Sequence, residues 1–308
     1  MDYQTNKQIN RSIFENFPGE VRFKEPLSKH TTWRVGGPAA AIVFPTDIHS
    51  LSKLIRRLRE DNVPYCVLGN GSNILAPDEG YRGVIVNLRK GFGHIEKIKE
   101  SEEDVLLKVG AGVSKYNLLQ HAILNGYIDF TFLAGVPGTV GGGLAMNAGT
   151  REGTFDAVTE SVTLINRNGA ITPIEKSELR FSYRSGIRYG VIVESILCSR
   201  KGSIAEMKSR MSDFMKIRRK TQPLTFPSCG STFKNPEGDS AGRLIEEAGL
   251  KGLRIGDAQV SRQHANFIIN LGKARSKDIE ELIHQIKETV NQKFGVYLIE
   301  EVQRLGAT

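Results

Sequence analysis

Two loops crowded with glycine constrain this 308-residue chain more than any other feature. The first, Gly69-Asn70-Gly71-Ser72-Asn73, directly follows an apolar strand-like run, Tyr65-Cys66-Val67-Leu68. The second, GVPGTVGGG from Gly135 to Gly143, runs on into Met146-Asn147-Ala148-Gly149 and places six glycines within residues 135–149. Glycine tolerates positive φ and has no Cβ, so several backbone N–H groups can converge on one anion. Ser72, Asn73 and Thr139 add side-chain donors suited to phosphate oxygens. Neither loop is a standard phosphate motif. Ile74 stands where the third glycine of a Rossmann fingerprint belongs, and no P-loop lysine follows the second loop. Alone, the first loop reads equally well as a tight turn, but the second has too many glycines for turns. The pair predicts a pyrophosphate lying between two subdomains, and so a dinucleotide held without a Rossmann fold.

Charge agrees with an anionic ligand. Lys and Arg number 42 against 34 Asp and Glu, a net of +8. Nucleic acid, an acidic membrane surface and an anionic small molecule all suit such a surplus. The densest basic run, Lys216-Ile217-Arg218-Arg219-Lys220, closes a helix-like segment, where cations suit the helix dipole. With one Trp and no RNP-like string, no nucleic-acid partner is expected. Cys66, Cys198 and Cys229 form no C-x-x-C pair, and the six histidines show no ligand spacing, so neither a disulfide framework nor a metal is expected. Cys66 and Cys198 fall in apolar runs and read as core thiols. No apolar run approaches the ~18 residues of a membrane span. The polar start MDYQTNKQINRSIFENF lacks the order of a secretory signal. A cytoplasmic protein with no membrane partner is the expectation.

Periodicity predicts a helix over 47–61, with Ile48, Leu51, Leu54, Ile55 and Leu58 on one face and Thr46 as N-cap. Strands are expected at 65–68, 84–88, 105–109, 161–165 and 191–198. Arg167-Asn168-Gly169 turns a hairpin into a return strand from Ala170. Ser114 opens a helix that Gly126 ends, and a long Gly-rich loop then leads to Ser161. Lys201-Gly202-Ser203 reads as a boundary before a helix reaching about Lys220. A helix over 240–248, a strand over 266–270, a helix opened by Ser276 and a final strand over 296–302 complete the chain. Hairpins among scattered helices predict the α+β class.

Three strings then carry a resemblance. PYCVLGNGSNIL (64–75), LAGVPGTVGGGLAMNAG (133–149) and GSTFKNP (230–236), in this order and spacing, resemble the UDP-N-acetylenolpyruvoylglucosamine reductases of bacterial peptidoglycan precursor synthesis. The resemblance runs from Thr31-Thr32-Trp33-Arg34-Val35-Gly36-Gly37 to Glu301-Val302 and fits the family's more compact subtype. It implies an N-terminal segment (1–30) and an FAD-binding module of the p-cresol methylhydroxylase/vanillyl-alcohol-oxidase type (31–202, with lobes at about 31–88 and 89–202). A C-terminal α+β substrate domain (203–308) follows. FAD is then bound non-covalently and reduced by NADPH, the substrate is a UDP-sugar, and the protein is a monomer. Implied cofactor contacts are Arg34, Gly69, Asn70, Gly71, Ser72, Asn73, Gly135, Pro137, Gly138, Thr139, Gly141, Gly142 and Asn147.

The family reaction is reduction of UDP-N-acetylglucosamine enolpyruvate to UDP-N-acetylmuramate. Hydride from flavin N5 reaches the methylene carbon, negative charge builds on the carboxylate, and the adjacent carbon needs a proton. Such a site needs a fixed cation and a positioned acid. Arg184, in Phe181-Ser182-Tyr183-Arg184-Ser185, matches the family's carboxylate electrophile, and its fork suits that task better than a lysine. Ser231 matches the proton donor and Glu301 the terminal glutamate, which must be protonated, with a raised pKa, to donate a hydrogen bond. Tyr183, Arg219, Lys234, Asn235 and Arg243 are the implied substrate contacts, the basic ones for the UDP diphosphate.

Two segments depart from the family pattern. Gly149-Thr150-Arg151-Glu152-Gly153 replaces the usual Ala-Tyr-Gly continuation, so no aromatic contact carries over. Ile299-Glu300 replaces the common Glu-Pro before Glu301. The alternative is another FAD-dependent oxidoreductase built on the same cofactor module, which predicts a covalent His or Tyr attachment and no GSTFKNP string. A further alternative, a binding protein without activity, predicts a colourless protein.

Overall fold

The computed structural model describes residues 9–306. Residues 1–8 of the polar start, and 307–308 at the other end, lie outside it. β1 (Gly19–Pro26) pairs antiparallel with β2 (Pro38–Pro45), α1 (Ile48–Glu60) crosses back, and β3 (Tyr65–Val67), β4 (Ile74–Leu75) and β5 (Tyr81–Val86) follow. β5 lies between β2 and β3 and runs parallel to both, giving the order β1-β2-β5-β3. β2 is central and almost wholly buried, so it reads as a continuous apolar run. β1 falls inside the segment 1–30 that the sequence sets apart, yet it is the edge of this sheet. Its charges at Glu20, Arg22, Lys24 and Glu25 suit an exposed edge and hide the strand from an apolar pattern.

α1 buries Leu51, Leu54, Ile55 and Leu58. Its cap is Asp47, not Thr46: Asp47 Oδ1 accepts from the His49 and Ser50 amides at 2.9 Å each. A carboxylate also suits the positive helix end, while Thr46 Oγ1 donates to the Pro18 carbonyl at 2.6 Å.

The second lobe contains β6 (Ile95–Glu100), β7 (Asp104–Gly110), α2 (Lys115–Asn125), α3 (Val140–Met146) and the hairpin β8 (Gly149–Thr150)–β9 (Gly153–Thr154). α4 (Phe155–Val158), β10 (Thr159–Ile165), β11 (Ile171–Glu175), β12 (Val191–Arg200) and α5 (Ile204–Thr221) complete it. The sheet order is β11-β10-β12-β7-β6, antiparallel throughout. α2 begins and ends as expected: Ser114 Oγ accepts from the Asn117 amide, and Gly126 closes the helix at φ +71°.

The C-terminal body is α6 (Ala241–Glu247), β13 (Arg254–Ile255), β14 (Ala258–Val260), β15 (Ile268–Asn270), α7 (Ser276–Phe294) and β16 (Gln303–Arg304). α7 buries Ile279, Leu282, Ile283, Ile286 and Val290. Its N-cap is Arg275, whose amide donates to Asp278 Oδ2 at 2.9 Å; Ser276 instead donates its hydroxyl to the Ala76 carbonyl. The strand expected over 296–302 does not form. Its partner at 232–234 offers only a single bridge, Phe233 to Glu300, before turning away. β16 then pairs parallel with β4 and ties the chain's end to the first lobe.

Packing cuts across the expected boundaries. Met207 of α5, beyond the boundary expected at residue 203, packs in the core that the two lobes share. Trp33, Val35 and Leu75 lie in the core of the C-terminal body. Cys66 and Cys198 are half-buried rather than core thiols; Cys229 is the buried one. No described helix is long and apolar enough to cross a membrane.

One cap joins the two halves. Asp78, before β5, accepts from the Ser276 amide at 2.9 Å and the Lys277 amide at 3.1 Å at the start of α7. Asp78→Ala is expected to cost about 0.5–2 kcal/mol, the usual worth of a helix cap. Urea unfolding that shows no loss would mean water replaces both acceptors freely.

Candidate active site

The two glycine loops meet on one cavity of about 2610 Å³, lined from both lobes and the C-terminal body. The first loop is braced from behind. The Thr32 amide donates to the Gly71 carbonyl at 3.1 Å, and Gly71, at φ +60°, packs so close to the His30 carbonyl that a Cβ would collide. The two loops touch through Gly69, where a Cβ would stand 2.5 Å from Thr139 Oγ1.

The second loop is partly a helix. Thr139 caps α3, and Gly141, Gly142 and Gly143 have helical backbone rather than the positive φ of an open loop. Glycine is needed there for approach: Gly141 packs on Ala111 and Gly143 on the Phe155 ring, while a Cβ on Gly142 would meet only Thr139 Oγ1, at 3.5 Å. The helix N-terminus therefore presents its backbone to the cavity with little side chain in the way, an arrangement that favours anions.

Of the expected cofactor residues, Gly69 to Asn73, Pro137, Gly138, Thr139, Gly141 and Gly142 line the cavity. Arg34 is exposed and outside the lining, and Gly135 is exposed beside Met215 and Arg218. Asn147 is also outside it. Its Nδ2 donates to the Ser182 carbonyl at 3.2 Å and its Oδ1 accepts from the Asp156 amide at 3.0 Å. The first of these bonds holds the loop that carries Arg184.

Arg184, Ser231 and Glu301 all line this cavity. Arg184 has φ +53°, in a turn closed by reciprocal backbone bonds between Ser182 and Ser185. A left-handed arginine is strained, and the surrounding bonds hold it there. Its Nε lies 3.0 Å from Glu301 Oε1. Asn73, from the first glycine loop, donates to the Glu301 carbonyl at 3.0 Å, so a loop that lines the cavity also holds the glutamate's backbone. Glu300 turns away to Lys287 and Arg304, leaving Glu301 to face the cavity.

Burial raises the Glu301 pKa, outweighing the lowering pull of Arg184 and Lys234. A proton is thus more easily held there than on a solvated glutamate. Cys229, beside Ser231, is buried, and burial together with the Glu301 charge keeps its thiol well above its usual range. It is a neutral packing thiol, not a nucleophile.

The expected substrate residues divide. Lys234 is half-buried and acts on Glu301 through its charge. Tyr183 is exposed, with its ring stacked 5.0 Å from the Arg184 guanidinium carbon. Asn235 Oδ1 accepts from the Ala241 amide at the start of α6. Arg243 pairs along that helix with Asp239 and Glu247. Arg219 points outward; its neighbour Arg218 lines the cavity, half-buried, with Nε unpartnered. Gln222 joins it, its Oε1 also buried and unpartnered. Lys115, buried on the cavity wall, was missed as well. Thr150 and Arg151, from the departing segment, line the cavity without supplying an aromatic ring.

These residues fit FAD. The cavity is long enough to pass both loops, its walls carry Lys115 and Arg218 without acidic partners, and Gly142 leaves room for close approach.

Comparison with known proteins agrees. A family model described as an FAD binding domain matches residues 39–174, and one for the UDP-N-acetylenolpyruvoylglucosamine reductase C-terminal domain matches 222–305. UDP-N-acetylenolpyruvoylglucosamine reductase 2 of Symbiobacterium thermophilum is 42% identical over 96% of this chain and 95% of its own length. The reductase of Halalkalibacterium halodurans is 39% identical over 97% and 99%. The crystal structure of the Thermus caldophilus reductase superposes with a TM-score of 0.79 at 36% identity, covering 93% of this chain and 98% of that one. Similar at this level over almost its whole length, the chain belongs to the UDP-N-acetylenolpyruvoylglucosamine reductase family.

Proposed function

We propose that the protein reduces UDP-N-acetylglucosamine enolpyruvate to UDP-N-acetylmuramate, with FAD as resident cofactor and NADPH as reductant. The observation that carries this reading is the Arg184–Glu301 pair on the same cavity wall as Ser231, continuous with both glycine loops. Bound FAD supplies the hydride chemistry; the chain supplies position, charge and a proton.

Arg184 would take the enolpyruvyl carboxylate on its fork and stabilise charge as it builds there. That contact draws the guanidinium from Glu301, whose burial then favours the protonated form. A neutral Glu301 donates a hydrogen bond to the same developing anion, where an ionised one would repel it. Ser231 gives its hydroxyl proton to the substrate carbon, an exchange that favours transfer only to a strongly basic centre in a site closed to water. Arg218 and Gln222, rather than Arg219, offer unpartnered groups to the UDP moiety or the nicotinamide dinucleotide.

Anaerobic reduction by NADPH, followed by reoxidation with the enolpyruvyl sugar, tests the reading. Flavin that is reduced but never reoxidised overturns the substrate; a colourless protein overturns the cofactor.

Glu301 also predicts a pH dependence. Its folded pKa lies above the unfolded value near 4.5, so the folded state binds the proton more tightly. The stability it contributes is complete below about 4.5 and is lost as pH rises through the raised folded value. Thermal midpoints for Glu301→Gln should lack that decline. An equal decline in the variant would assign it to other groups.

A further inference from the structure

We propose that Lys115 is the cation that meets the diphosphate of bound FAD. The inference rests on the chain's FAD-binding domain and adds a residue to it. Lys115 is the first residue of α2 and only 5% exposed, yet it reaches the cavity wall. A lysine at that position opposes the helix dipole, which favours anions in the first turn. Burial costs a charged ammonium its hydration, and no carboxylate offsets the loss: the charge that acts on Lys115 is the like charge of Arg184. Glu301, an acid that also lines the cavity, is already paired with Arg184.

The location identifies what should complete the site. The Lys115 amide donates to the Gly138 carbonyl at 2.9 Å, fixing α2 to the second glycine loop. Ser72 Oγ, from the first loop, and Lys115 Nζ lie 2.9 and 3.3 Å from the point a Cβ on Gly138 would occupy. A hydroxyl of the first loop and a lone ammonium thus converge on one spot beside Gly138 of the second loop, with no carboxylate against the ammonium. A diphosphate crossing between the loops carries the charge and the oxygens that this spot lacks. Burial and Arg184 hold Lys115 down to about 8, so without an anion a sizeable share is neutral near that pH; a bound diphosphate would restore the charge.

The test is Lys115→Met, which keeps length and apolar stem while deleting the charge. FAD affinity is measured by flavin fluorescence on release from and return to the protein. The dissociation constant should rise at least about tenfold, the scale of one hydrogen bond to a charged group. The midpoint potential of the bound flavin should stay where it is. Thermal stability of the flavin-free variant should hold or increase, because an uncompensated buried charge has gone. Affinity unchanged from the wild type overturns the proposal while leaving FAD binding itself intact. A lowered potential with unaltered affinity places the cation at the flavin ring instead and equally overturns it. Lower flavin-free stability together with weaker affinity makes Lys115 a packing residue and overturns it too.

Discussion

Ser231→Ala is expected to slow the oxidation of reduced flavin by substrate about 10²–10⁴-fold, the usual contribution of a positioned general acid. Reduction by NADPH should keep its rate, since that half-reaction needs no proton from Ser231. The separation follows from the local structure. Ser231 follows Gly230, which at φ +82° has no atom within 4 Å of a would-be Cβ, so the turn stands free at the cavity. The next residues are locked. The Thr232 amide donates to the Asn266 carbonyl and the Phe233 amide to Asn266 Oδ1, at 2.8 and 2.9 Å. Phe233 is 1% exposed in the C-terminal core. Removing the Ser231 hydroxyl therefore deletes an acid without loosening its support, and unfolding midpoints should barely change. Stopped-flow absorbance resolves the two half-reactions. Equal slowing of both would remove Ser231 from the proton-donor role.

Arg184→Met should affect the same half-reaction through electrostatics, by about 10²–10³-fold. Methionine keeps a Cβ, so the left-handed strain at φ +53° stays and unfolding midpoints should change little. A slowed substrate step at unchanged stability assigns the effect to the guanidinium.

The glycine loops were legible because glycine at a forced close approach is a local requirement, written residue by residue. Gly69 against Thr139 and Gly71 against His30 leave no alternative side chain. What the same residues build was less legible. Gly141 to Gly143 read as an open loop, whereas their lack of Cβ lets a helix approach Ala111 and Phe155. Arg218 and Arg219 are adjacent in a basic run, and which of them faces inward depends on the phase of α5. That helix buries only Met207, so its apolar pattern hardly sets a phase. Asn235 and Arg243 match a substrate motif by position, but α6 uses them for a cap and for ion pairs. Lys115 had a signal of its own, a cation in the first turn of a helix directly after a Ser cap. Its meaning depends on burial, which sequence does not display.

Trp33→Ala should carry the largest cost to stability, about 3–5 kcal/mol for loss of a buried Trp. That is a large fraction of the roughly 5–15 kcal/mol that holds a native domain together. Trp33 is fully buried, yet it belongs to the first lobe by sequence and to the C-terminal core by packing. Its Nε1 donates to the Ile268 carbonyl at 2.7 Å, and its own carbonyl accepts from Asn270 Nδ2 at 2.8 Å. Both partners lie on β15, so one residue, by its ring and its carbonyl, joins the strand to the segment that braces Gly71. Trp33→Phe should cost less, because the ring is largely kept and the loss is chiefly the bond to Ile268. The alanine variant should also bind FAD more weakly, since Thr32 then holds the Gly71 carbonyl from a loosened segment. Urea unfolding followed by circular dichroism, with flavin release in parallel, checks both. A loss below about 1 kcal/mol for Trp33→Ala would mean the C-terminal core closes without it. Full FAD affinity in a strongly destabilised variant would show that the first glycine loop holds its shape without this brace.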